Sequence, residues 1–568
     1  MDQVYCEYFH ASDSVIKVPL KSYMILFIWK MCKFDNIKLN FVRGNPNKND
    51  TYVLAYSIKF NVSDTRNCTR YMDFADCPES ICSTFMPAIL CYSDKTCITG
   101  LCAVIRYILE LHVSGTKEVN LCEKLLGFRK GCLMACAEVS SWTKFCEVDF
   151  LKNTQDCFKN IMLHSNEKIN VPLEIYKFEH HLKQPLKIHN INKRLNTAKL
   201  TSPDQGHCFA EGMDMMLSDI LLFIFFHLMF ENVDGLFDRS KSSFPKVSTW
   251  YSRIINLPFI HETIVNSVLA VDEILHKKVV LNISFPEKIE NLSIRDVTRN
   301  KPRSTRDGYD MIVDKILEEN NCISLTDTAG QNLFVDWDSM PREVHPAGGD
   351  LPVKRIARKC EQLDSMIREV NSIAKAGDII VDFCSGGGHL GIPLAFLLPK
   401  CHIILVENKE SSMSRARNRV KLLELPNISF YQGNLDYYKG KFDIGISLHA
   451  CGVATDLVLQ KCLEQRASFV CCPCCYGFVE NTHTVEYPRS RLFERKNISY
   501  ENYLLLTHVA DQTEKKTAQY EKGRLCMQII DSDRLHLAQE YDYKVKLTVM
   551  FPPSCTPKNH LLIGICEK

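Results

Sequence analysis

Two acidic residues and a cluster of glycines have the types and the spacing of a nucleotide-binding site. Asp382 follows the apolar run Ile379-Ile380-Val381 and comes just before the glycines at 386–388 and 391. Glycine tolerates positive φ and lets a ligand lie against the backbone, and a helix that begins at such a turn offers free N–H groups to the ligand. Glu407 ends the next apolar run, about 20 residues beyond the glycines, where a carboxylate can accept from both ribose hydroxyls. The pattern predicts a nucleotide loop.

The kind of nucleotide depends on Asp382. Gly386, Gly388 and Gly391 also fit the G-x-G-x-x-G pattern of a dinucleotide loop, but a nicotinamide dinucleotide has no particular use for an acid at the end of the first strand. A carboxylate there can pair with an ammonium group, while Glu407 holds the sugar. A ligand with an amino-acid end and a nucleoside end uses both acids, so we expect S-adenosylmethionine as the cofactor. In the structural alternative, Asp382 caps a turn and Glu407 is a solvated strand end.

Polar residues also follow the third and fourth predicted strands. Asn434 and Leu435 come after the strand 428–432, at the sheet edge that would lie beside the adenine. We expect Asn434 to bond the exocyclic amine of the base and Leu435 to pack on its face, with Asp436 as the alternative polar partner. His449 follows the strand 442–448, and a neutral imidazole there can act as the general base of a methyl transfer. Its structural alternative is a histidine bonded to backbone at a strand end.

A cysteine-rich segment, Cys471-Cys472-Pro473-Cys474-Cys475-Tyr476, follows the fifth predicted strand. We expect Cys474, Cys475 and Tyr476 to line the substrate pocket, with Tyr476 stacking on the substrate. The C-x2-C spacing within 471–475 also suits zinc, whose further ligands would then be Cys451, His449 or Cys384. Adjacent cysteines do not easily turn to one tetrahedral centre, and a second C-x2-C is missing. We therefore predict no metal.

The elements that would position these residues follow one another in β-α-β order. Apolar runs predict strands beginning near 379, 402, 428, 442 and 468, and helical patterns predict helices at 355–370, 389–398 and 411–423. Two further strands, 544–551 and 560–566, form a terminal hairpin. An antiparallel hairpin on an otherwise parallel sheet is expected of the class I methyltransferase fold and not of a nicotinamide dehydrogenase. The predicted fold class is α/β, with a class I methyltransferase Rossmann-like sheet at 341–568.

Composition and length set further bounds. A chain of 568 residues favours several domains, and a formal net charge of +2 does not indicate a wholly polyanion-binding surface, although a local basic patch is compatible with it. The 27 cysteines fall in adjacent pairs and apolar runs, and no secretory leader follows Met1. We therefore expect free thiols in the reducing cytoplasm. The apolar helix predicted at 217–230 is too short to span a bilayer.

The front of the chain is similar to a glutathione transferase. In 1–115, Pro87 precedes a short apolar run and the helix-like segment 101–112, as in the thioredoxin-like half of those enzymes, where that proline is cis. Residues 116–275 are helical in pattern, like the C-terminal domain of those enzymes, with Met216 at the capping position three residues before Asp219. Gly100 and Leu101 occupy the positions of the acid-serine pair that holds the γ-glutamyl group, so we do not expect glutathione chemistry. Residues 276–340 are predicted to be a linker, whose basic segment 301–308 is solvated or, alternatively, touches nucleic acid.

Three motifs of the back half carry a more specific resemblance: VDFCSGGGHLG at 381–391, LHACGVATD at 448–456 and CPCCYG at 472–477. They resemble the family of glutathione S-transferase C-terminal domain-containing proteins, in which a transferase-like front precedes a methyltransferase-like back. The resemblance implies a cytoplasmic protein with methyltransferase activity. The C-G-V-A-T-D run is also similar to a family of tRNA 2′-O-methyltransferases, which makes RNA the leading substrate. Against the generic loop D-x-G-x-G-x-G, Cys384 replaces the first glycine, and its Cβ requires negative φ or strain.

These observations predict an S-adenosylmethionine-dependent methyltransferase that acts on RNA or, as a second choice, on protein. The transferase-like region would bind a protein partner, and no membrane is involved. The alternative is a non-catalytic scaffold whose front half binds a partner and whose back half is a relic.

Overall fold

The computed structural model describes residues 1–12, 14–34, 37–44, 54–60, 70–114, 121–127, 141–163, 169–185, 206–233, 235–266, 270–271, 281–282, 313–318, 322–326, 334–482, 484–496, 498–513 and 519–567. They form two compact units, Met1–Ser93 with Cys97–Val297 and Asp94–Thr96 with Thr298–Lys568. The basic segment 301–308 lies outside the described residues. The four segments predicted from the sequence, 1–115, 116–275, 276–340 and 341–568, stay predictions.

The first unit mixes short strands with helices. Its strands are β1 Gln3–Tyr8, β2 His10–Ala11, β3 Val15–Val18, β4 Lys38–Arg43, β5 Tyr56–Lys59, β6 Arg70–Met72, β7 Ala88–Leu90, β8 Cys97–Thr99, β9 Ile169–Asn170, β10 Ala270–Val271 and β11 Leu281–Asn282. Its helices are α1 Leu20–Cys32, α2 Glu79–Cys82, α3 Leu101–Ser114, α4 Leu121–Leu126, α5 Ser141–Lys144, α6 Phe150–Leu163, α7 Leu173–Lys183, α8 Leu217–Asn232, α9 Leu236–Ser243, α10 Pro245–Ile255 and α11 Pro258–Val265.

Four strands of this unit have a thioredoxin-like arrangement. β1 pairs in parallel with β4 and antiparallel with β7, and β7 pairs antiparallel with β8. The Met86–Pro87 peptide bond before β7 is cis. The resemblance to a glutathione transferase predicted both features, and both are confirmed.

The amino end of α3 is closed by a carboxylate from the same unit. The N–H groups of Leu101 and Cys102 donate to Glu147 Oε1 at 2.8 Å and Oε2 at 3.1 Å, and Glu147 is only 5% exposed. Free N–H groups at the start of a helix form a natural anion site, but here they bind an internal acid. This contact gives a structural reason, beside the residues at 100 and 101, to expect no glutathione chemistry.

Asp219 anchors the start of α8, a helix in which nearly every residue is buried. Its Oδ2 accepts from the N–H of Met216 at 2.9 Å, and its Oδ1 accepts from the N–H of Ala210 at 2.7 Å and from Trp250 Nε1 at 2.8 Å. Burial raises the pKa of Asp219 to about 7. Asp219 therefore binds the capping residue although Met216 has no hydroxyl. In the described part of the chain, no helix combines the length and the apolar character needed to cross a membrane.

The second unit is a β-α-β arrangement followed by a terminal hairpin. Its strands are β12 Leu325–Thr326, β13 Ile379–Phe383, β14 His402–Glu407, β15 Ile428–Gln432, β16 Ile444–Cys451, β17 Ser468–Cys474, β18 Tyr543–Val549 and β19 His560–Cys566. Its helices are α12 Val353–Ile373, α13 Gly391–Leu397, α14 Glu410–Leu423, α15 Val453–Gln465, α16 Arg491–Arg495, α17 Tyr500–Ala510 and α18 Gln519–Glu540.

The strands of the second unit lie in the order β12-β18-β19-β17-β16-β13-β14-β15. The central strands from β13 to β17 pair in parallel, whereas β19 runs antiparallel to both β17 and β18. The predicted class I methyltransferase sheet with its terminal hairpin is therefore confirmed. Because the parallel strands share one direction, the loops that follow β13, β14, β15, β16 and β17 meet at a single edge of the sheet.

A group of buried charges fixes α15 and β17 to α18. Arg534 donates to both carboxylate oxygens of Asp456, at 3.0 and 2.6 Å, and to Oδ1 of Asp531 at 3.1 Å. All three residues are at most 2% exposed. The hydroxyl of Tyr476, just after β17, donates to Asp531 at 2.7 Å, and the hydroxyl of Tyr487 donates to Asp456 at 2.7 Å. Burial opposes the ionisation of Asp456, but Arg534 and then Arg489 hold the pKa of its carboxyl below the usual value.

Replacing Arg534 should destabilise the second unit strongly. Arg534→Met removes the guanidinium that binds two buried carboxylates, which should lower the free energy of unfolding by about 3–5 kcal/mol. The measurement is calorimetric unfolding of the full chain at neutral pH, followed for the transition of this unit.

The matched control is Lys544→Met, which breaks the ion pair of Lys544 with Glu567, whose side chains are 72% and 65% exposed. An exposed pair contributes little to stability, so this variant should unfold like the parent chain. If Arg534→Met also unfolds like the parent chain, the buried charges do not fix these elements.

Candidate active site

The glycine loop connects β13 to α13 and contains several residues with left-handed backbone. Gly386 and Gly388 have φ values of 56° and 72°, and Cys384 has φ 57°. The sequence left two options for Cys384, negative φ or strain, and the structure shows strain. A Cβ in this conformation costs about 1–2 kcal/mol. The loop therefore keeps the backbone shape of the generic glycine loop, although Cys384 replaces its first glycine.

Asp382 and Glu407 bind opposite ends of this loop. Glu407 Oε2 accepts from the N–H of Gly386 at 2.8 Å, and its Oε1 accepts from the N–H of Lys409 at 2.7 Å. Asp382 Oδ2 accepts from the N–H of Gly391 at 3.0 Å. Both acids are buried, and the charge of Glu407 adds to the raised pKa of Asp382. The two acids chosen from the sequence therefore lie at one site.

Lys359 of α12 brings a positive charge close to Asp382. Burial raises the pKa of Asp382 to about 7, against the opposing effects of the Gly391 N–H and of Lys359. Burial in turn lowers the pKa of Lys359 to about 8, against the charges of Cys472, Asp382 and Cys474. Between about pH 7 and pH 8 the site therefore holds mainly a carboxylate and an ammonium group, each of which shifts the pKa of the other.

Asn434 and Leu435 follow β15 at the same edge. Asn434 is exposed and begins a short 3-10 turn, Leu435–Tyr437, in which its Oδ1 accepts from the N–H of Asp436 at 3.4 Å. Leu435 is buried. This long hydrogen bond leaves the Asn434 carbonyl able to accept from a base, so its adenine contact stays a prediction, as does that of Leu435.

His449 lies near the end of β16, where the pairing with β17 is irregular between Leu448 and Cys451. Its φ is 69°, and its Nε2 lies 3.0 Å from Gln362 Oε1. Burial, helped by the charge of Lys359, lowers the pKa of His449 to about 4, so the ring is neutral near pH 7. Because Gln362 Nε2 donates to the carbonyl of Cys555, Gln362 Oε1 acts as the acceptor and His449 Nε2 carries the hydrogen. His449 Nδ1 then keeps a lone pair that can accept a proton.

The cysteine-rich segment differs from its prediction at Tyr476. Tyr476 is 1% exposed, its hydroxyl donates to Asp531, and Arg534 and Lys558 lie over its ring. It cannot stack on a substrate, because the buried charges of α18 draw it into the core. Cys474 and Cys475 lie at the sheet edge beside Cys451, so their place in a substrate pocket stays a prediction.

The adjacent cysteines also differ from the geometry expected of them. The sulfurs of Cys451, Cys474 and Cys475 all lie within 4.8 Å of one another. The sequence had predicted that adjacent cysteines do not easily turn to one centre. Cys475 has φ 48° and ψ 53°, and this left-handed turn brings its side chain back toward that of Cys474. Hydrogen bonds from Cys474 and Cys475 lower the pKa of Cys451 to about 6.

Sequence reasoning missed Lys359 and Gln362 as site residues. Both lie on α12, the helix that the sequence predicted at 355–370. The available signal was a polar residue within the buried stripe, since Gln362 stands between Cys360 and Leu363 and all three are buried. A buried polar side chain needs hydrogen-bond partners, and here the partners are His449 and the carbonyl of Cys555.

Comparison with known proteins supports the assignment of this unit. Residues 353–482 match the family described as Methyltransferase domain. A stretch of 98 residues is 34% identical to ribosomal RNA small subunit methyltransferase G of Nitrosomonas europaea and covers 17% of this chain and 46% of that protein. The solved structure of Podospora anserina methyltransferase PaMTH1 with S-adenosylhomocysteine bound has 10% identity and a TM-score of 0.27 over 47% of this chain and 97% of that chain, too low to support an inference. The domain match and the sheet order indicate a methyltransferase domain, whose cofactor is S-adenosylmethionine.

Whole-length relatives extend the comparison to the front unit. A human protein named glutathione S-transferase C-terminal domain-containing protein is 30% identical over 99% of this chain and 98% of its own length. A Drosophila melanogaster protein named as its homolog is 35% identical over 99% of both chains. The chain therefore belongs to the family of glutathione S-transferase C-terminal domain-containing proteins.

Proposed function

We propose that this chain transfers the methyl group of S-adenosylmethionine to RNA. The observation that carries the proposal is the pair of acids at the two ends of one glycine loop. A methyl group added to Gly386 would meet no atom within 4 Å among the described residues, so the backbone between the acids faces open space. A cofactor can lie against this backbone, as the glycine loop requires.

The charged residues of the site fit the two ends of the cofactor. Glu407 would hold the ribose hydroxyls, and Asp382 would hold the ammonium group of the amino-acid tail. Lys359, whose charge already acts on Asp382, would pair with the carboxylate of that tail. The bound cofactor supplies a methyl group already activated by its sulfonium. The protein then contributes mainly by positioning the reacting atoms.

His449 would accept the proton of the substrate nucleophile. Gln362 accepts a hydrogen bond from its Nε2, and the Nδ1 of this tautomer is therefore the proton acceptor. A neutral imidazole with its pKa lowered to about 4 is a weak base, but it is present in the neutral form throughout the physiological range. General-base catalysis of this kind contributes about 10²–10⁴-fold to a rate.

Support for RNA as the substrate comes from the beginning of α12. Lys354, Arg355 and Arg358 are exposed there, on the same helix that carries Lys359 and Gln362 to the site. Clustered cations beside an active site suit a phosphate backbone. The partial similarity to an enzyme named as a ribosomal RNA methyltransferase agrees with this substrate class.

The proposed reaction is tested with tritiated S-adenosylmethionine and the full chain. RNA and protein from cells that lack this chain serve as substrates, because the target position is unmethylated there. We expect label in that RNA and none in RNA from cells that contain the chain. His449→Gln should slow labelling about 10²–10⁴-fold without changing the affinity for S-adenosylhomocysteine.

Charge reversal tests the RNA contact separately. Changing Lys354, Arg355 and Arg358 to Glu should weaken RNA binding in a filter assay, whereas the same change at three other exposed lysines, Lys375, Lys400 and Lys421, should not. Label in protein only would refute the RNA substrate. Binding of S-adenosylhomocysteine with no label in any fraction would favour the scaffold.

Substitution of Gly386 should weaken cofactor binding without unfolding the unit. In Gly386→Ala the new methyl group projects into the open space above the loop, so the affinity for S-adenosylhomocysteine should fall at least tenfold by titration calorimetry. The control is Gly377→Ala, because Gly377 also has positive φ, 95°, and open space around it, but lies before β13. Equal losses of affinity in both variants would mean that backbone strain, and not the loss of open space above the glycine loop, is responsible.

The affinity for S-adenosylhomocysteine should pass through a maximum between about pH 7 and pH 8. Asp382 must be ionised, which its pKa of about 7 allows only above that pH, and Lys359 must be protonated, which its pKa of about 8 allows only below that pH. Calorimetry from pH 5.5 to pH 9.5 measures the profile. Asp382→Asn should flatten the acid side and Lys359→Met the alkaline side. An affinity that stays constant from pH 6 to pH 9 would contradict both assignments.

A further inference from the structure

Three thiols converge at the carboxyl ends of β16 and β17, separate from the residues assigned to the cofactor. The sulfurs of Cys451, Cys474 and Cys475 lie within 4.8 Å of one another, and those of Cys451 and Cys474 are 3.2 Å apart. In a tetrahedral zinc site with Zn–S bonds of about 2.3 Å, neighbouring sulfurs are about 3.8 Å apart. Small side-chain rotations would bring the three sulfurs to that spacing.

The backbone around the cluster is shaped so that the three side chains meet. Cys475 leaves the extended strand conformation for the left-handed region, although a residue other than glycine is strained there. Gly452, next to Cys451, has φ 60°, and a Cβ on it would lie 2.3 Å from the carbonyl oxygen of Phe478. The loop after β16 therefore packs against the loop after β17 closely enough that only glycine fits, and this contact carries Cys451 to the other two thiols.

The surroundings of the cluster suit a cation held by thiolates. Lys359 and Lys558 both interact electrostatically with Cys474, so positive charge is available to offset three thiolates. The nearby acid, Asp511, pairs with Lys558 at 3.1 Å and accepts from the N–H of Gly477 at 2.8 Å. The sulfurs, and not this carboxylate, are therefore the donors of the cluster.

We propose that Cys451, Cys474 and Cys475 bind one zinc ion through three thiolates, with the fourth position open to water or to a further ligand. Each thiol gives up its proton to solvent when the ion binds. Zinc favours sulfur ligands and keeps a free position in sites with three protein ligands. A disulfide between Cys451 and Cys474 would use only two of the three thiols and would need the sulfurs to approach to about 2.05 Å. Zinc binding at these three thiols does not require methyl transfer or an RNA substrate.

The test uses the full chain, purified under reducing conditions, stripped with a chelator and dialysed against zinc. We expect one zinc ion per chain by elemental analysis. The cobalt form should show a thiolate-to-metal charge-transfer band. Cys451 is exposed, so Cys451→Ser should fold normally, and it should lower the affinity for zinc at least about 100-fold, more than loss of a supporting residue around a metal site does. Cys475→Ser should have the same effect.

Cys566→Ser is the control, because it removes a thiol of the same unit that lies on β19, away from the cluster. It should retain zinc fully, and thermal unfolding and S-adenosylhomocysteine titration verify that each variant is folded. Three results would overturn the proposal. They are no bound zinc in the reduced parent chain, full retention of zinc in both Cys451→Ser and Cys475→Ser, and a Cys451–Cys474 disulfide found by peptide mapping of the protein isolated under reducing conditions.

Discussion

The methyltransferase unit depends on a single buried guanidinium. Arg534 is almost fully buried, and its charge is balanced by Asp456 at the start of α15 and by Asp531 on its own helix. A buried cation that loses its carboxylates is costly, so α15 cannot move away from α18. Because α15 follows directly after β16, and Tyr476 ties the end of β17 to Asp531, the same charges determine where both strand ends lie. The aspartate of the C-G-V-A-T-D run therefore has a structural function.

That support explains how the unit tolerates strain at its functional edge. Cys384, His449 and Cys475 have φ values of 57°, 69° and 48°, and they lie at the ends of three neighbouring strands, β13, β16 and β17. Each left-handed residue of this kind costs on the order of 1–2 kcal/mol. Such residues persist only where the surrounding structure holds them, and they concentrate at functional sites. Here these residues place the glycine loop, the His449 imidazole and the Cys475 thiol at the same edge of the sheet.

Much of this fold could be predicted from the sequence because buried parallel strands appear as continuous apolar runs. The spacing of Asp382 and Glu407 around the glycines also predicted that both acids would meet one loop. Tyr476 could not be placed, because its burial depends on Asp531, which lies 55 residues further along the chain. The approach of Lys359 to the site depends on how α12 packs, and helical periodicity alone does not give that. The adjacent cysteines meet because the backbone at Cys475 is left-handed. The sequence has no glycine at this position that would have predicted such a turn.

The contact of Glu147 with the start of α3 has a consequence for any small anion that approaches the front unit. A carboxylate attached to the same chain competes with an outside ligand at an effective concentration on the order of millimolar or above. A peptide ligand would therefore have to displace the Glu147 carboxylate, which is always present at this helix end. The front unit keeps a transferase-like strand arrangement, but the N–H groups at the start of α3 are already occupied by a carboxylate of the same chain.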